Sequence, residues 1–346
     1  MARPELRPAR VATVDRGAVS ALSADRTSER VTLGGDLLAV VAADAAAAPC
    51  TGDWAGLRDW SDGRTTLEVL LPRRTSFVRA SASGESVGQA LAVNMDDVLI
   101  TVSLAVEPNA NRVERLAALA WESGATPVLV LTKSDLATDA AHVAADFELA
   151  APGVRVLVVS VVTGEGMDDL TGLVQAPSAH GAAKTLALLG QSGAGKSTLV
   201  NALARESDVP ELAVRDVSAT GKGRHTTVRR ELVMLDGGGL VLDTPGLRGV
   251  GLVEASDGVD RVFPEIDALA AECRFADCSH DREPGCAVLG AVESGVLPVR
   301  RLESYRKLSR ESAWIATRTD ARARAEARRR WIQITKDMRR HGTVRP

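Results

Sequence analysis

The sequence predicts a multidomain protein with a small N-terminal β-barrel, a central α/β domain and a C-terminal helical domain that contains a cysteine-histidine cluster. Three observations predict this order. Short strand-like runs separated by turns occupy residues 1–80. Buried-strand runs that alternate with helical segments occupy residues 92–255. Three cysteines and a histidine then lie close together in the helix-like region 256–346.

The first region reads as five short strands, which fits a five-stranded oligonucleotide-binding (OB) type barrel. Their periodicity alone does not separate this barrel from other small β domains. The strands are expected at 10–14, 29–33, 37–42, 53–58 and 65–71. The small and polar run SASGES follows at 81–86, so we predict a linker over 81–91.

The strongest motif is GQSGAGKS at 190–197, which matches the phosphate-binding loop G-x-x-x-x-G-K-[ST]. An apolar strand-like run precedes it and a helix-like run follows, which favours a P-loop over a chance glycine-rich turn. Backbone N–H groups here can surround a phosphate. We expect Lys196 to reach the β- and γ-phosphates as a catalytic residue and Ser197 to bind magnesium. The predicted phosphate-binding residues are Gly190, Gln191, Ser192, Gly193, Ala194, Gly195, Lys196, Ser197 and Thr198.

A base-recognition signal lies before the P-loop. The sequence TKSD at 132–135 follows the buried-strand run 127–131 and resembles the NKxD element of GTPases. The Asp135 carboxylate is a two-point acceptor for the N1–H and N2–H of guanine, and adenine does not offer this arrangement. Lys133 is expected to pack over the base. Thr132 stands where the motif usually has Asn.

A second guanine-type loop, SVVTGEG at 160–166, follows the strand-like run 154–159. It resembles the SAxxGEG loop, whose backbone N–H contacts guanine O6. Val161 replaces the usual Ala, but a backbone contact does not depend on that side chain. Ser160 is expected to brace the loop. The alternative is an ordinary turn before a helix at 167–174, but two such loops at successive strand ends favour guanine recognition.

The order of these elements is reversed relative to ordinary GTPases, in which the base-recognition loops come last. Here the segment 175–183, which contains Pro and Gly, joins the final helix to the P-loop strand. The two chain termini of a compact domain often lie close together. A circular permutation can therefore relocate the termini without changing the structure of the site. We therefore predict a circularly permuted P-loop GTPase domain.

Two switch-like segments follow the P-loop. In GKGRHTT (221–227), Thr227 is favoured over Thr226 as a magnesium ligand. A predicted hairpin, 229–235 with 240–242, ends in DTPG, where Asp243 would bind magnesium through water and the Gly246 N–H would contact the γ-phosphate. Leu247 stands where many small GTPases have a Gln, so the water-positioning group must come from elsewhere. His225 is the best local candidate, the alternative being a solvated loop histidine.

The cluster Cys273, Cys278, His280 and Cys286 has the pattern C-x4-C-x-H-x5-C. Three thiolates and an imidazole suit a closed tetrahedral zinc site that is structural and not catalytic. A disulfide is the weaker alternative, because a nucleotide-hydrolysing protein is expected in the reducing cytoplasm. Cys50 is expected to be a small buried residue.

Charge is concentrated at the C-terminal end. Residues 300–346 contain fifteen Lys or Arg and five Asp or Glu, a net charge of +10 in a chain whose formal net charge is −3. A basic helical tail favours binding to RNA phosphates, with a solvated helix or a membrane-surface helix as alternatives. No apolar run approaches the roughly 20 residues that span a bilayer, so no membrane partner is expected.

Taken with GDW (52–54), LPRR (71–74), GRHTT, DTPGLR and RRLESYRKL from residue 300, these motifs resemble the family of ribosome small-subunit-dependent GTPase A, which are bacterial circularly permuted GTPases. The resemblance implies an OB barrel, a GTPase domain and a zinc domain, with GTP or GDP, magnesium and one zinc ion. It implies action late in 30S subunit maturation, on 16S rRNA, stimulated by the subunit, with His225 as the catalytic residue. We expect a cytoplasmic monomer.

Two other functions stay open at this point. One is an RNA-binding assembly factor in which the nucleotide only orders the fold and hydrolysis is incidental. The other is a P-loop kinase or ATPase, which the guanine-type loops disfavour.

Overall fold

The computed structural model describes residues 6–25, 27–79, 89–204, 230–235, 238–243 and 256–319. These residues form thirteen β-strands and nine α-helices. No helix among them combines the length and the apolarity that crossing a bilayer requires.

The N-terminal strands close into a barrel with the order β1-β2-β3-β5-β4, which confirms the predicted domain. Its strands are β1 (Arg7–Asp15), β2 (Ala18–Ser23), β3 (Ser28–Leu33), β4 (Trp54–Asp59) and β5 (Thr65–Leu70). Inward-facing residues alternate along each strand and fill a small core that includes Val11, Val31 and Leu57, all 1% exposed or less. Closure leaves the barrel without a free sheet edge.

One barrel prediction is wrong. Residues 37–42 belong to helix α1 (Gly35–Ala43) and not to a strand. The run LLAVVA has no polar alternation, and Leu37 and Val41, four residues apart, both pack on the barrel core. The second strand of the barrel is β2, whose sequence AVSALS is too weakly apolar to stand out.

A short hairpin follows the barrel, formed by β6 (Ser76–Arg79) and β7 (Gln89–Val93). Residues 80–88 lie outside the described residues, and the remainder of the predicted linker overlaps β7.

The central domain is a six-stranded sheet with the order β10-β9-β8-β11-β13-β12. Five strands are parallel, and β12 runs antiparallel to β13 as the predicted hairpin. The strands are β8 (Asp97–Ser103), β9 (Thr126–Thr132), β10 (Arg155–Val159), β11 (Thr185–Gly190), β12 (Glu231–Met234) and β13 (Leu240–Asp243). Central strands such as β8 are buried along most of their length, which explains their continuous apolar sequences.

Four helices accompany this sheet: α2 (Ala110–Glu122), α3 (Ala140–Ala150), α4 (Met167–Gln175) and α5 (Lys196–Leu203). The chain runs outward from β8 through β9 to β10, then returns to place β11 on the other side of β8. Strand order therefore reverses between β8 and β11. Ligands of open parallel sheets bind at the carboxyl ends of the strands at such a point.

The C-terminal region is helical, with α6 (Ser256–Val262), α7 (Pro264–Ala270), α8 (Ala287–Glu293) and α9 (Val299–Thr319). Phe263 and Val262, both fully buried, share one continuous core with Ala117 and Ala118 of α2. The helical region is thus packed directly on the α/β domain.

Tight contacts join the barrel to the α/β domain. Gly52 has a φ of 96°, and a Cβ there would collide with the carbonyl oxygen of Val93, so only glycine fits. The fully buried Asp53 accepts two hydrogen bonds of 2.8 Å from Arg73. Arg10 donates to the Thr185 hydroxyl over 3.2 Å, at the start of the P-loop strand β11. These contacts account for Gly52 and Asp53 of the GDW motif and for Arg73 of LPRR, and they fix the barrel beside β11.

A buried ion pair joins α9 to α2. Arg301 donates to the Glu114 carboxylate over 2.9 Å, and these residues are only 4% and 1% exposed. The same guanidinium bonds Glu265 of α7 and the carbonyl oxygens of Ala150 and Val262. The second Glu114 oxygen accepts the Ser304 hydroxyl. Because all nitrogens of the Arg301 guanidinium and both oxygens of Glu114 are hydrogen-bonded, the pair is tolerated in the interior.

We expect Glu114→Gln to lower the free energy of unfolding by about 2 kcal/mol, because it removes the buried charge that Arg300 and Arg301 share and leaves Arg301 with Glu265 alone. Urea denaturation measures this loss. The matched control is Glu311→Gln, which breaks a 2.6 Å pair with Arg115 between the same two helices. That pair is partly exposed, so its loss is expected to cost less than about 1 kcal/mol. Equal losses in the two variants would contradict this account.

Candidate functional site

The P-loop occupies the expected place between β11 and α5. Gly190 ends the strand with a φ of 155°, and the Thr101 hydroxyl of neighbouring β8 donates to the Leu189 carbonyl over 2.9 Å. A Cβ on Gly190 would collide with Thr101, which explains why glycine opens the loop. Ser197 and Thr198 lie in the first turn of α5. The predicted strand, glycine-rich turn and helix are confirmed.

Lys196 is held at the loop itself. Its ammonium group donates to the carbonyl oxygens of Gly190 over 2.9 Å and Gln191 over 2.6 Å. These bonds place its positive charge beside the loop and the N-terminus of α5. Both features attract an anion, so this is a phosphate-binding arrangement.

The TKSD loop contacts the P-loop directly. The Thr132 hydroxyl, 5% exposed, donates to the Ala194 carbonyl over 2.8 Å. Lys133 donates from Nζ to the Gly193 carbonyl over 3.0 Å. Lys133 has a φ of 59°, a left-handed conformation that costs roughly 1–2 kcal/mol for a residue with a side chain. Backbone strain of this kind is typical of functional sites.

The two guanine-type loops are joined to each other. The buried Ser160 donates its hydroxyl to Asp135 Oδ1 over 2.6 Å. Ser134 donates to Glu165 over 2.6 Å, which ties the loops a second time. Within the second loop, the Ser160 N–H donates to the Glu165 carbonyl over 2.9 Å. These hydrogen bonds of Ser160 give its expected bracing role a structural basis. Val161, the next residue, is half-buried.

Several predicted site residues lie outside the described residues, namely His225, Thr227 and Gly246. Asp243 is the last residue of β13, and its backbone pairs with Glu231. Because β13 is parallel to β11 and adjacent to it, Asp243 ends at the same edge of the sheet as Gly190.

Three residues near the loops were missed by sequence reasoning: Thr101, Ser134 and Glu165. Ser134 occupies the position that NKxD leaves open. Glu165 is the Glu of the SAxxGEG loop, but no contact was expected of its side chain. Thr101 belongs to another strand, and only the adjacency of β8 and β11 reveals its contact.

The cysteine-histidine cluster is assembled as the spacing predicts. Its four ligand atoms lie within 4.8 Å of one another. His280 Nδ1 lies 3.6 Å from Cys273 Sγ and 3.5 Å from Cys286 Sγ, and those sulfurs are 3.8 Å apart. All the cysteines carry free thiols, so the disulfide alternative is wrong.

These distances fit a metal centre. A tetrahedral zinc ion with Zn–S bonds of about 2.3 Å and a Zn–N bond of about 2.0 Å holds its ligand atoms roughly 3.5–3.8 Å apart. Burial lowers the pKa of His280, which favours the neutral imidazole that a metal requires.

The fold and the joined loops define a class: P-loop proteins with GTPase-type base loops placed before the P-loop. The family model described as RsgA GTPase matches residues 70–253, more than half of the chain. The chain is 53% identical over 342 residues to the small ribosomal subunit biogenesis GTPase RsgA of Streptomyces coelicolor, covering 98% of this chain and 87% of that protein. It is 39% identical to the protein of the same name in Syntrophotalea carbinolica, covering 97% and 92%.

The chain therefore belongs to the RsgA GTPase family and is a GTPase. Two solved structures share its fold. YjeQ from Thermotoga maritima has a TM-score of 0.65 at 24% identity, covering 89% of this chain and 98% of that chain. YloQ, described as a circularly permuted GTPase, has a TM-score of 0.62 at 21% identity, covering 90% and 97%. The permuted fold expected from the motif order is confirmed.

We expect Thr132→Val to weaken GDP binding about tenfold, because it removes only the hydroxyl that joins the base loop to the P-loop. A fluorescent GDP titration measures the dissociation constant. Thr171→Val is the matched control, since it removes a 2.8 Å bond to Met167 within α4. Unchanged GDP affinity in Thr132→Val would show that the contact does not organise the site.

Asp135→Asn tests which base the site selects. An amide offers one donor and one acceptor, which no longer match the two donors of guanine but do match xanthine, whose C2 carries a carbonyl. We expect lower affinity for GDP and higher affinity for xanthosine diphosphate, measured by competition. If both affinities stayed at the parent's values, Asp135 would not contact the base.

Proposed function

We propose that this protein binds GTP and magnesium across the joined loops and hydrolyses GTP during late maturation of the small ribosomal subunit. The observation that carries the proposal is the pair of contacts from Thr132 and Lys133 to the P-loop. They bring a base-selecting loop and a phosphate-binding loop together at one edge of the sheet. The names of the relatives, small ribosomal subunit biogenesis GTPases, support the choice of biological process.

Each loop has a distinct role in holding the nucleotide. Asp135 accepts from the guanine N1–H and N2–H while Ser160 fixes its carboxylate. Lys133 packs along the base, and the Val161 N–H donates to guanine O6. The P-loop N–H groups surround the phosphates, and Lys196 exchanges its bonds to the Gly190 and Gln191 carbonyls for phosphate oxygens.

The hydrolytic step uses groups from the P-loop and both switches. Ser197, Thr227 and Asp243 would hold magnesium, which would supply positive charge against the phosphate oxygens. The Gly246 N–H donates to the γ-phosphate. Leu247 cannot orient water, so we assign that role to His225, whose imidazole accepts a hydrogen bond from the attacking water. We expect slow hydrolysis in the free protein, because Leu247 does not position the attacking water, and a partner can restore the rate.

The remaining assignments concern the metal and the partner. The cluster of Cys273, Cys278, His280 and Cys286 holds one structural zinc ion, as its geometry supports. The protein acts as a cytoplasmic monomer on the small subunit. Its OB-type barrel and the basic residues that follow Arg306 bind 16S rRNA phosphates, whereas Arg301 and Arg306 are engaged in the internal contacts described above.

GTP turnover with and without purified small subunits tests the proposal. Subunits are expected to raise kcat by on the order of 10³-fold, the range that a partner-completed site can supply. Lys196→Ala is expected to bind subunits but not to leave them. Absent stimulation, together with normal release by Lys196→Ala, would instead support an assembly factor whose nucleotide is structural.

His225→Ala separates catalysis from binding. We expect it to abolish most of the subunit-stimulated kcat and to leave GDP affinity within about twofold of the parent, since histidine acts on water and not on the nucleotide. The control is His142→Ala, which changes an exposed histidine on α3. Full stimulated turnover in His225→Ala would assign the water-positioning role to another residue.

A further inference from the structure

The turn that presents His280 to the metal site has an unfavourable backbone conformation. His280 has a φ of 56°, in the left-handed region, while its ring is buried and faces two cysteine sulfurs. A residue with a side chain adopts this conformation only when surrounding contacts impose it. Two residues that are not metal ligands, Glu283 and Arg306, contact this turn.

Glu283 binds the backbone on both sides of His280. One carboxylate oxygen accepts from the N–H of Ser279 over 3.0 Å and from the Ser279 hydroxyl. The other accepts from the N–H groups of Asp281 over 2.8 Å and Arg282 over 3.0 Å. These hydrogen bonds, led by the Ser279 hydroxyl, hold the pKa of Glu283 well below its usual range. One carboxylate thus organises four donors around the histidine.

Arg306 holds the opposite side of the same turn. It lies on α9, and its guanidinium donates to the His280 carbonyl oxygen. A second guanidinium nitrogen lies 3.9 Å from the Asp281 carboxylate. The neighbouring Tyr305 places its ring 6.3 Å from the His280 ring. The position of His280 therefore depends on α9 as well as on its own loop.

We propose that Glu283 and Arg306 are positioning residues for the metal: they hold His280 in the left-handed turn that directs Nδ1 at the cysteine sulfurs. The inference rests on the zinc site proposed above and extends it to residues outside the ligand set. Residues that orient a ligand commonly change metal affinity by 10- to 100-fold when they are replaced. The arrangement also makes metal binding and the docking of α9 on the loop mutually supporting.

The experiment uses the metal-free full-length chain titrated with Co²⁺, followed by Zn²⁺ competition against a chelator. The parent is expected to show the thiolate charge-transfer and intense visible bands of tetrahedral cobalt. Glu283→Gln is expected to weaken Zn²⁺ binding by about 10- to 100-fold. The matched control Glu293→Gln makes the same charge change on an exposed residue of α8 and is expected to leave affinity unchanged.

Two further variants keep the test decisive. Arg306→Met is expected to weaken Zn²⁺ binding in the same direction. Ser279→Ala removes one donor only and is expected to weaken binding by about threefold, so it carries the test if Glu283→Gln does not fold. Parent-like GDP affinity in each variant establishes that the fold is intact.

The outcomes separate the two proposals. A parent chain without a tetrahedral cobalt spectrum would overturn the zinc site and the inference together. A parent with that spectrum, but with Glu283→Gln and Arg306→Met binding Zn²⁺ as tightly as the parent, would overturn the inference alone. Weaker binding in both variants with intact GDP affinity supports it, because unfolding of the chain would also reduce GDP binding.

Discussion

The nucleotide site proposed for this chain depends on one contact between two loops about sixty residues apart in sequence, the hydrogen bond from Thr132 to Ala194. They meet because β9, β8 and β11 are parallel neighbours, so that their carboxyl ends share one edge of the sheet. Thr132 stands where the motif usually has Asn, and its hydroxyl donates a hydrogen bond to the Ala194 carbonyl oxygen of the P-loop. The circular permutation changes the order of the loops along the chain, but β9, β8 and β11 remain neighbours in the sheet.

Helix α2, which precedes the strand that leads into the TKSD loop, also packs against the C-terminal helices. Helix α2 connects β8 to β9, and its Glu114 is the buried partner of Arg301 on α9. Arg306 of α9 also donates a hydrogen bond to the His280 carbonyl oxygen in the cysteine-histidine loop. Hydrogen-bonded contacts therefore link the cysteine-histidine loop to α2 of the α/β domain. The barrel is fixed beside the P-loop strand through Arg10 and Thr185.

Sequence alone predicts the features whose chemistry depends on local spacing. The P-loop, TKSD and the cysteine-histidine pattern each place their atoms within one turn or loop, so the spacing determines the geometry. The helix at Gly35–Ala43 was not predicted, because a continuous apolar run has no periodicity that distinguishes a helix from a strand. Sequence did not predict the Arg301–Glu114 ion pair or the Ser134–Glu165 hydrogen bond. Side chains that are distant in sequence come into contact only through tertiary packing.

One guanine nucleotide is expected to span both loops, and a crystal structure with magnesium and a non-hydrolysable GTP analogue would show its position. We expect the guanine edge on the Asp135 carboxylate and the β-phosphate on the N–H groups around Gly193 and Lys196. A nucleotide bound at the P-loop with its base turned away from Asp135, and with Thr132 parted from Ala194, would contradict it.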